Sequence, residues 1–261
     1  MAERDVGAIV QGVREKDHAV QLAARGAGGA AVPALVPLLQ DPDDEVRQLA
    51  VHCLAETGDP RAADGIAQAL LDPEPEVALA AARALHRLAT PPLAPGLLDA
   101  LGRARDPLVR REIALVLGRV AGPDAAGALR DRLGREQAPE AAEGLLVALA
   151  RLGDQEAQRA FEQRLLAARG LERRTWLEHA EYVARPWLVR PLEKLLGDTT
   201  PVLRVGVDAR PDLIEALRVC DLALILIAAL SGARFSFPVT RAKNYSAAEI
   251  DEARRLVKSL P

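Results

Sequence analysis

Arg87, Arg119 and Arg151 stand 32 residues apart in the sequence. A guanidinium offers a planar fork of donors matched to carboxylates and phosphates, so a regular row of them reads as a surface that grips anions. Arg83 and Arg111 fall near the same positions and widen the row, while Glu56, in the equivalent place one interval earlier, interrupts it. The competing reading is local: a cation near a helix C-terminus offsets the helix dipole by about a few tenths of a kcal/mol. A second grouping is Trp176, His179, Tyr182 and Trp187. Helical spacing puts Trp176 and His179 on one face with Tyr182 and Val183, and Glu178 and Glu181 are close in sequence. Such a set either lines a ligand wall or fills the core of a helix junction, since buried rings occupy irregular space efficiently.

The remaining chemistry-bearing residues assemble no catalytic set, and none is assigned. His18, His52, His86 and His179 include no pair at His-x-x-x-His spacing, and no cysteine lies near enough in sequence to complete a zinc site. The glycine-rich run Gly26-Ala27-Gly28-Gly29 lacks the lysine of a phosphate loop and follows a helix, and no Gly-x-Ser-x-Gly elbow occurs. No cofactor is expected. Cys53 and Cys220 lie 167 positions apart inside apolar helical runs, which predicts two buried thiols, with a disulfide as the alternative. A formal charge of −3 gives no global attraction to nucleic acid or anionic lipid. The most apolar run, Leu222 to Leu230, is nine residues, where about twenty would span a bilayer. Acids in the first five residues stand where a secretory signal needs a basic and then an apolar run. The expected setting is the cytoplasm, with no membrane association.

What must position these residues is a repeat. Val46-Arg-Gln-Leu-Ala-Val-His-Cys-Leu aligns without gaps with stretches beginning at Val77, Val109 and Ala141, at spacings of 31, 32 and 32. Asp41-Pro42, Asp72-Pro73 and Asp106-Pro107 precede three of them, and Ala138-Pro139 falls in the same phase. Weaker copies lie near Glu15 to Gly29 and from Arg173. Each unit reads as two helices, and in the second the apolar positions Val46, Leu49, Ala50, Cys53 and Leu54 follow helical periodicity. Asp41 is placed to cap that helix with Pro42 in its first turn, and Gly58 ends it. Ala62 to Leu71, Leu93 to Leu101 and Ala125 to Leu133 are the following first helices. No pair buries its apolar stripe alone, so neighbouring pairs must stack.

The Asp-Pro-x-x-x-Val-Arg phase at Asp41 to Arg47, the alanines after it and Gly58-Asp59-Pro60 resemble the HEAT repeat, in particular the short bacterial type related to phycobilin lyase subunits. The resemblance covers residues 15 to 170. It implies an all-α, right-handed α-solenoid whose second helices line the concave side, and an aspartate–arginine ladder between repeats carried by Asp41 and Arg47. Asp106 and Arg110 stand two residues closer together than that pair, and Ala78 replaces the arginine in the second repeat. Iron-binding members that hydroxylate a modified lysine carry repeated His-Glu dipeptides. Here only Glu178-His179 occurs, in reverse order, so that activity is not expected.

Residues 1–170 thus read as regular repeats and 171–261 as divergent repeats with a capping module. All seven aromatic residues, from Phe161 to Tyr245, lie beyond residue 160, because Ala-rich helices pack closely without rings. Arg173 to Ala184 and Trp187 to Leu196 read as helices, followed by an irregular segment, Gly197 to Pro211. Val202 to Val207 and the alternating Phe235, Phe237 and Val239 suggest a short β pair, with Pro238 confining it to an edge. Ser246 and Glu249 form a capping box, with Tyr245 and Ile250 as its staple, for a last helix from Ala247 to Ser259.

The function this predicts is a noncatalytic scaffold that holds another protein through its concave arginines and its aromatic module, as an assembly factor or an inhibitor. The alternative is an enzyme on the same solenoid, a lyase-like protein or a DNA-base glycosylase. The latter would need a strongly basic groove with aromatic and acidic side chains at its centre, whereas the chain is net acidic and Trp176 is off-centre. A small ligand between the aromatic module and the last full repeat is a third reading.

Overall fold

The computed structural model describes residues 2–203 and 217–260. It divides into two compact units, Met1–Gly153 and Asp154–Pro261. In the first unit α1 (Ala2–Arg14) and α2 (Val20–Ala27) lead into four helix pairs: α3 (Val32–Leu35) with α4 (Asp44–Thr57), α5 (Ala63–Gln68) with α6 (Pro75–Leu88), α7 (Ala94–Arg103) with α8 (Pro107–Val120), and α9 (Ala126–Leu133) with α10 (Pro139–Leu152). The helices α2, α4, α6, α8 and α10 pack in chain order, each on the next. Their interfaces are built from Ala, Leu, Val and Ile, including Ala50, Ala81, Ala114 and Ala148 at zero exposure. Small side chains let the axes approach closely. A Cβ on Gly144 of α10 would stand 2.8 Å from the Arg111 carbonyl oxygen of α8, so only glycine fits that crossing.

The cap of α4 differs from the sequence expectation. Asp43, not Asp41, is the N-cap, its Oδ1 accepting from the amides of Glu45 at 3.0 Å and Val46 at 3.4 Å. Asp41 instead accepts from the Asp43 amide at 3.0 Å, holding the turn that precedes the helix. Asp41 and Asp43 flank Pro42 in the same turn, and the one nearer the first free amides takes the role. At α8 the expected arrangement is present: Asp106 caps Leu108 and Val109 at 2.7 and 3.0 Å, and Pro107 opens the helix. Gly58 ends α4 at φ 67°, a conformation glycine adopts without strain.

The ladder also differs from its expected form. Arg47 does not reach the Asp41 carboxylate. It donates to the Asp41 and Pro42 carbonyls at 2.9 and 3.2 Å, and forks onto Asp72, one repeat on, with two 2.8 Å bonds. Arg110 does the same, donating to the Ala104 and Arg105 carbonyls and forking onto Glu136 at 2.8 and 2.9 Å. In the second unit Arg173 donates to the Leu166 and Ala168 carbonyls and to Asp198 at 3.1 Å. The three arginines are 63 residues apart, two repeats, and Ala78 stands at the skipped position between the first two. Each closes a junction by neutralising a carboxylate and satisfying carbonyls that the helix start leaves free.

The second unit contains α11 (Gln155–Ala167), α12 (Gly170–Val183), α13 (Val189–Glu193), α14 (Val219–Ser231) and α15 (Ala247–Ser259). The helix expected from Trp187 to Leu196 is shorter, a tight turn at Pro186–Leu188 leading into α13. The short β pair exists with a different partner: β1 (Pro201–Leu203) runs antiparallel to β2 (Leu217–Arg218), and Phe235 to Val239 is irregular. The expected strand positions 204–207, and residues 204–211 of the irregular segment, lie outside the described residues. Pro238 and a capture of its flanks by other groups explain the difference: Ser236 bonds the Glu252 carboxylate at 2.7 and 2.5 Å, and Phe237 packs on Tyr245.

At the centre of this unit α14 packs on α12, α13 and α15. Its Asp221 is fully buried and accepts from the Arg218 guanidinium at 2.7 and 2.8 Å and from the Arg218 and Tyr245 amides, both at 2.9 Å. Burial alone would raise this carboxyl, but those donors outweigh it and hold it below its ordinary range. The capping box of α15 is present, with Tyr245 and Ile250 both buried beside it. Cys53 and Cys220 are buried free thiols, and burial pushes the Cys53 thiol up to about 11.

Replacing Arg110 by Ala leaves the Glu136 carboxylate, 3% exposed, with Arg132 at 2.8 Å as its remaining guanidinium, and should cost about 1–3 kcal/mol in urea unfolding. The Arg110 bond holds Glu136 at about 2 against an ordinary 4.5. A lowered folded-state value stabilises fully above 4.5, and this contribution drains away as pH falls toward 2. Urea midpoints measured between about pH 5 and 2 should therefore fall less steeply in Glu136→Gln than in the unaltered chain.

Candidate functional site

The arginine row lies on the second helices: Arg83 and Arg87 on α6, Arg111 and Arg119 on α8, Arg151 on α10. Two of its members reach backward. Arg87 donates to the Ala55 carbonyl at 2.9 Å, and Arg119 donates to the His86 carbonyl. Each thus places a cation on the negative end of the preceding second helix. Glu56 does not break the row but anchors it, accepting from Arg25 at 2.6 Å and pairing with Arg87 at 3.5 Å. The Arg25 bond, helped by Arg87, holds the Glu56 carboxyl below its ordinary range.

Arg111 bonds Glu112 at 2.7 Å and stands 4.0 Å from Glu143. On the other side of Glu112, His86 approaches at 2.7 Å through Nε2, which must carry the proton because a carboxylate only accepts. Burial pushes the Glu112 carboxyl up, but His86 and the charges of Arg111 and Arg83 pull it down further, and the net direction is down. Arg83 is different: it is exposed and forms no hydrogen bond or ion pair among the described residues. It borders a cleft of about 380 Å³ on the α4–α6 face, together with Gln48, His52, Glu56 and Arg87. Burial, and then the nearby His18, lowers the His52 pKa, so the basic character of this face comes from arginine.

In the second unit the aromatic residues divide by depth. Trp176 and His179 are 2% and 6% exposed, while Tyr182 and Trp187 are half-buried. Phe161 joins the two tryptophans, meeting Trp176 edge-on at 5.1 Å and Trp187 edge-on at 5.8 Å, and His179 meets Trp176 at 5.3 Å. Arg164 lies 5.7 Å over the Trp176 ring. Trp176 and His179 therefore belong to the packed interior. Trp187 borders a groove of about 350 Å³ with Gln158, Arg159 and Arg190, and its indole N–H makes no hydrogen bond among the described residues.

Sequence reasoning passed over Phe161, Glu112 and Asp221 as organising residues. Only Asp221 carries a signal, as the single charge within an otherwise apolar helix. Among the described residues no three His, Cys, Asp or Glu side chains group as metal ligands, and no helix is long and apolar enough to cross a membrane.

Helix pairs stacked in chain order and joined by recurring arginine clamps define an α-solenoid repeat protein. A family model described as HEAT repeats matches residues 13–86, 63–150 and 94–181, and the chain belongs to the HEAT-repeat family. Among solved structures it is similar to a chain of the complex of CpcE and CpcF of phycocyanin lyase from a Nostoc species, with TM-score 0.58 and 17% identity over 98% of this chain and 94% of that one. A human deoxyhypusine hydroxylase matches at TM-score 0.38 and 20% identity over 98% of this chain and 96% of its own. An engineered protein matches at TM-score 0.38 and 21% identity, over 87% and 97%. No curated protein matches by sequence.

The two tryptophans should separate under mutation. Trp176→Ala, which empties the interior, should cost about 3–5 kcal/mol in urea unfolding, and Trp187→Ala markedly less. Equal losses would mean that both rings serve the core alike.

Proposed function

We propose that this protein is a noncatalytic scaffold that holds a protein partner on the concave arginine face, with the divergent segment after about residue 170 supplying a further contact. The observation that carries the reading is Arg83: an exposed guanidinium beside Arg87, over a cleft, in a row whose other described bonds are intramolecular. A free guanidinium at the edge of a concavity suits a carboxylate on a partner's surface, and arginine is enriched among the residues that dominate binding energy. The match to a two-subunit complex supports a protein partner, as does the extended surface that stacked repeats offer. Of the aromatic module, Tyr182 and Trp187 are the side chains a partner would meet. The enzyme readings draw no support from a particular residue of the site.

Purification of partners from the native source, with the unaltered chain and with Arg83→Ala, tests this reading. The variant should keep its stability within about 0.5 kcal/mol, because a surface side chain away from special features contributes little. Its affinity for the captured protein should fall about tenfold, the equivalent of about 1.4 kcal/mol. Undiminished affinity would remove Arg83 and with it the face.

A further inference from the structure

The clamped junctions share a geometry. An arginine on the second helix spans the gap between its own entry loop and the next, bonding the carbonyls five and six residues before it. At the position between Arg47 and Arg110 the side chain is only Ala78, and there the two entry loops enclose a cleft of about 590 Å³. Its volume falls in the range of small-ligand sites.

The walls of this cleft keep what the missing arginine would use. The residues five and six before Ala78 are Pro73 and Asp72, and neither carbonyl accepts a hydrogen bond among the described residues. Their counterparts at Asp41, Pro42, Ala104 and Arg105 each accept one from a guanidinium. Charges on the lining balance in pairs, with Asp72 held by Arg47 and Arg103 by Asp99 at 3.0 Å. Two groups are left over among the described residues: Asp106, whose Oδ1 caps α8 and which has no ion pair, and Arg105, exposed and without a side-chain partner. One wall thus offers bare acceptors and an acid, and the rim offers a free cation.

We propose that the cleft at Ala78 is a binding site for a guanidinium-bearing ligand, which completes the ladder from outside and presents a carboxylate to Arg105. Free arginine has that chemistry, and so does an arginine followed by an acidic residue in a peptide. The site uses the entry loops of α6 and α8, apart from Arg83, and stands or falls independently of the partner-binding reading.

The experiment is a titration of the isotopically labelled full chain, followed through the amide resonances of Glu74, Glu76, Val77 and Ala78 and of residues 104–106. L-arginine and N-acetyl-Arg-Glu-amide are the probes, and citrulline, which has the shape without the charge, is the control. Saturable shifts with either probe, absent with citrulline, support the site, and the stronger probe identifies the source as free amino acid or peptide. Ala78→Arg, which supplies the guanidinium from within, should unfold at higher urea and weaken probe binding at least about tenfold. Absence of saturable shifts with both probes overturns the proposal, as does equal binding by the Ala78→Arg chain. Arg105→Ala should weaken binding of both probes, and no change would remove the carboxylate contact.

Discussion

Where a helix begins after a tight turn, the carbonyls of that turn point away from the helix and have no partner within it. In stacked pairs a long side chain on the second helix can reach back and donate to them. Arg47, Arg110 and Arg173 do so, and each reaches an acid 25 or 26 residues further on. A partly buried ion pair is a poor source of net stability, because desolvation offsets most of its attraction. What it supplies is register: the fork fits one offset between adjacent repeats, while an Ala-rich interface alone would tolerate several. The apolar faces provide the energy, and the arginines select the arrangement.

The repeat itself was legible, because its period, its Asp-Pro phase and its alanines lie in contiguous sequence. What was not legible depends on distance. The cap falls on Asp43 rather than Asp41 because several acids in one turn can serve and only backbone angles choose among them. The acid that Arg47 grips belongs to the next repeat, outside the motif that suggests a ladder. Arg110 and Arg173 stood outside the Asp41–Arg47 motif because the interval between clamps is two repeats, not one. Among candidate site residues, the placement of Arg87 and Arg119 near helix ends was foreseeable from their phase, but their backward bonds depend on stacking. The burial of Trp176 depends on Phe161, which periodicity does not distinguish from any other core position.

The two units solve packing differently. In the first, alanine and glycine bring helix axes together until backbone nearly touches side chain, as at Gly144, and volume is filled by proximity. In the second, short elements leave irregular spaces that rings fill edge-on, and buried polar groups hold the segments between helices. Tyr245 combines both of those roles. Its ring packs against Phe237, its hydroxyl both donates to and accepts from the Thr240 backbone, and its amide serves Asp221.

That last bond has a consequence for where the chain can be cut. The amide that completes the donor set of Asp221 lies 24 residues further on, so removing the segment from Tyr245 onward would leave Arg218 in place and take away a donor from a carboxylate with no exposure to water. The last segment is thus part of the interior of α14's own head and not an appendage laid over a finished unit.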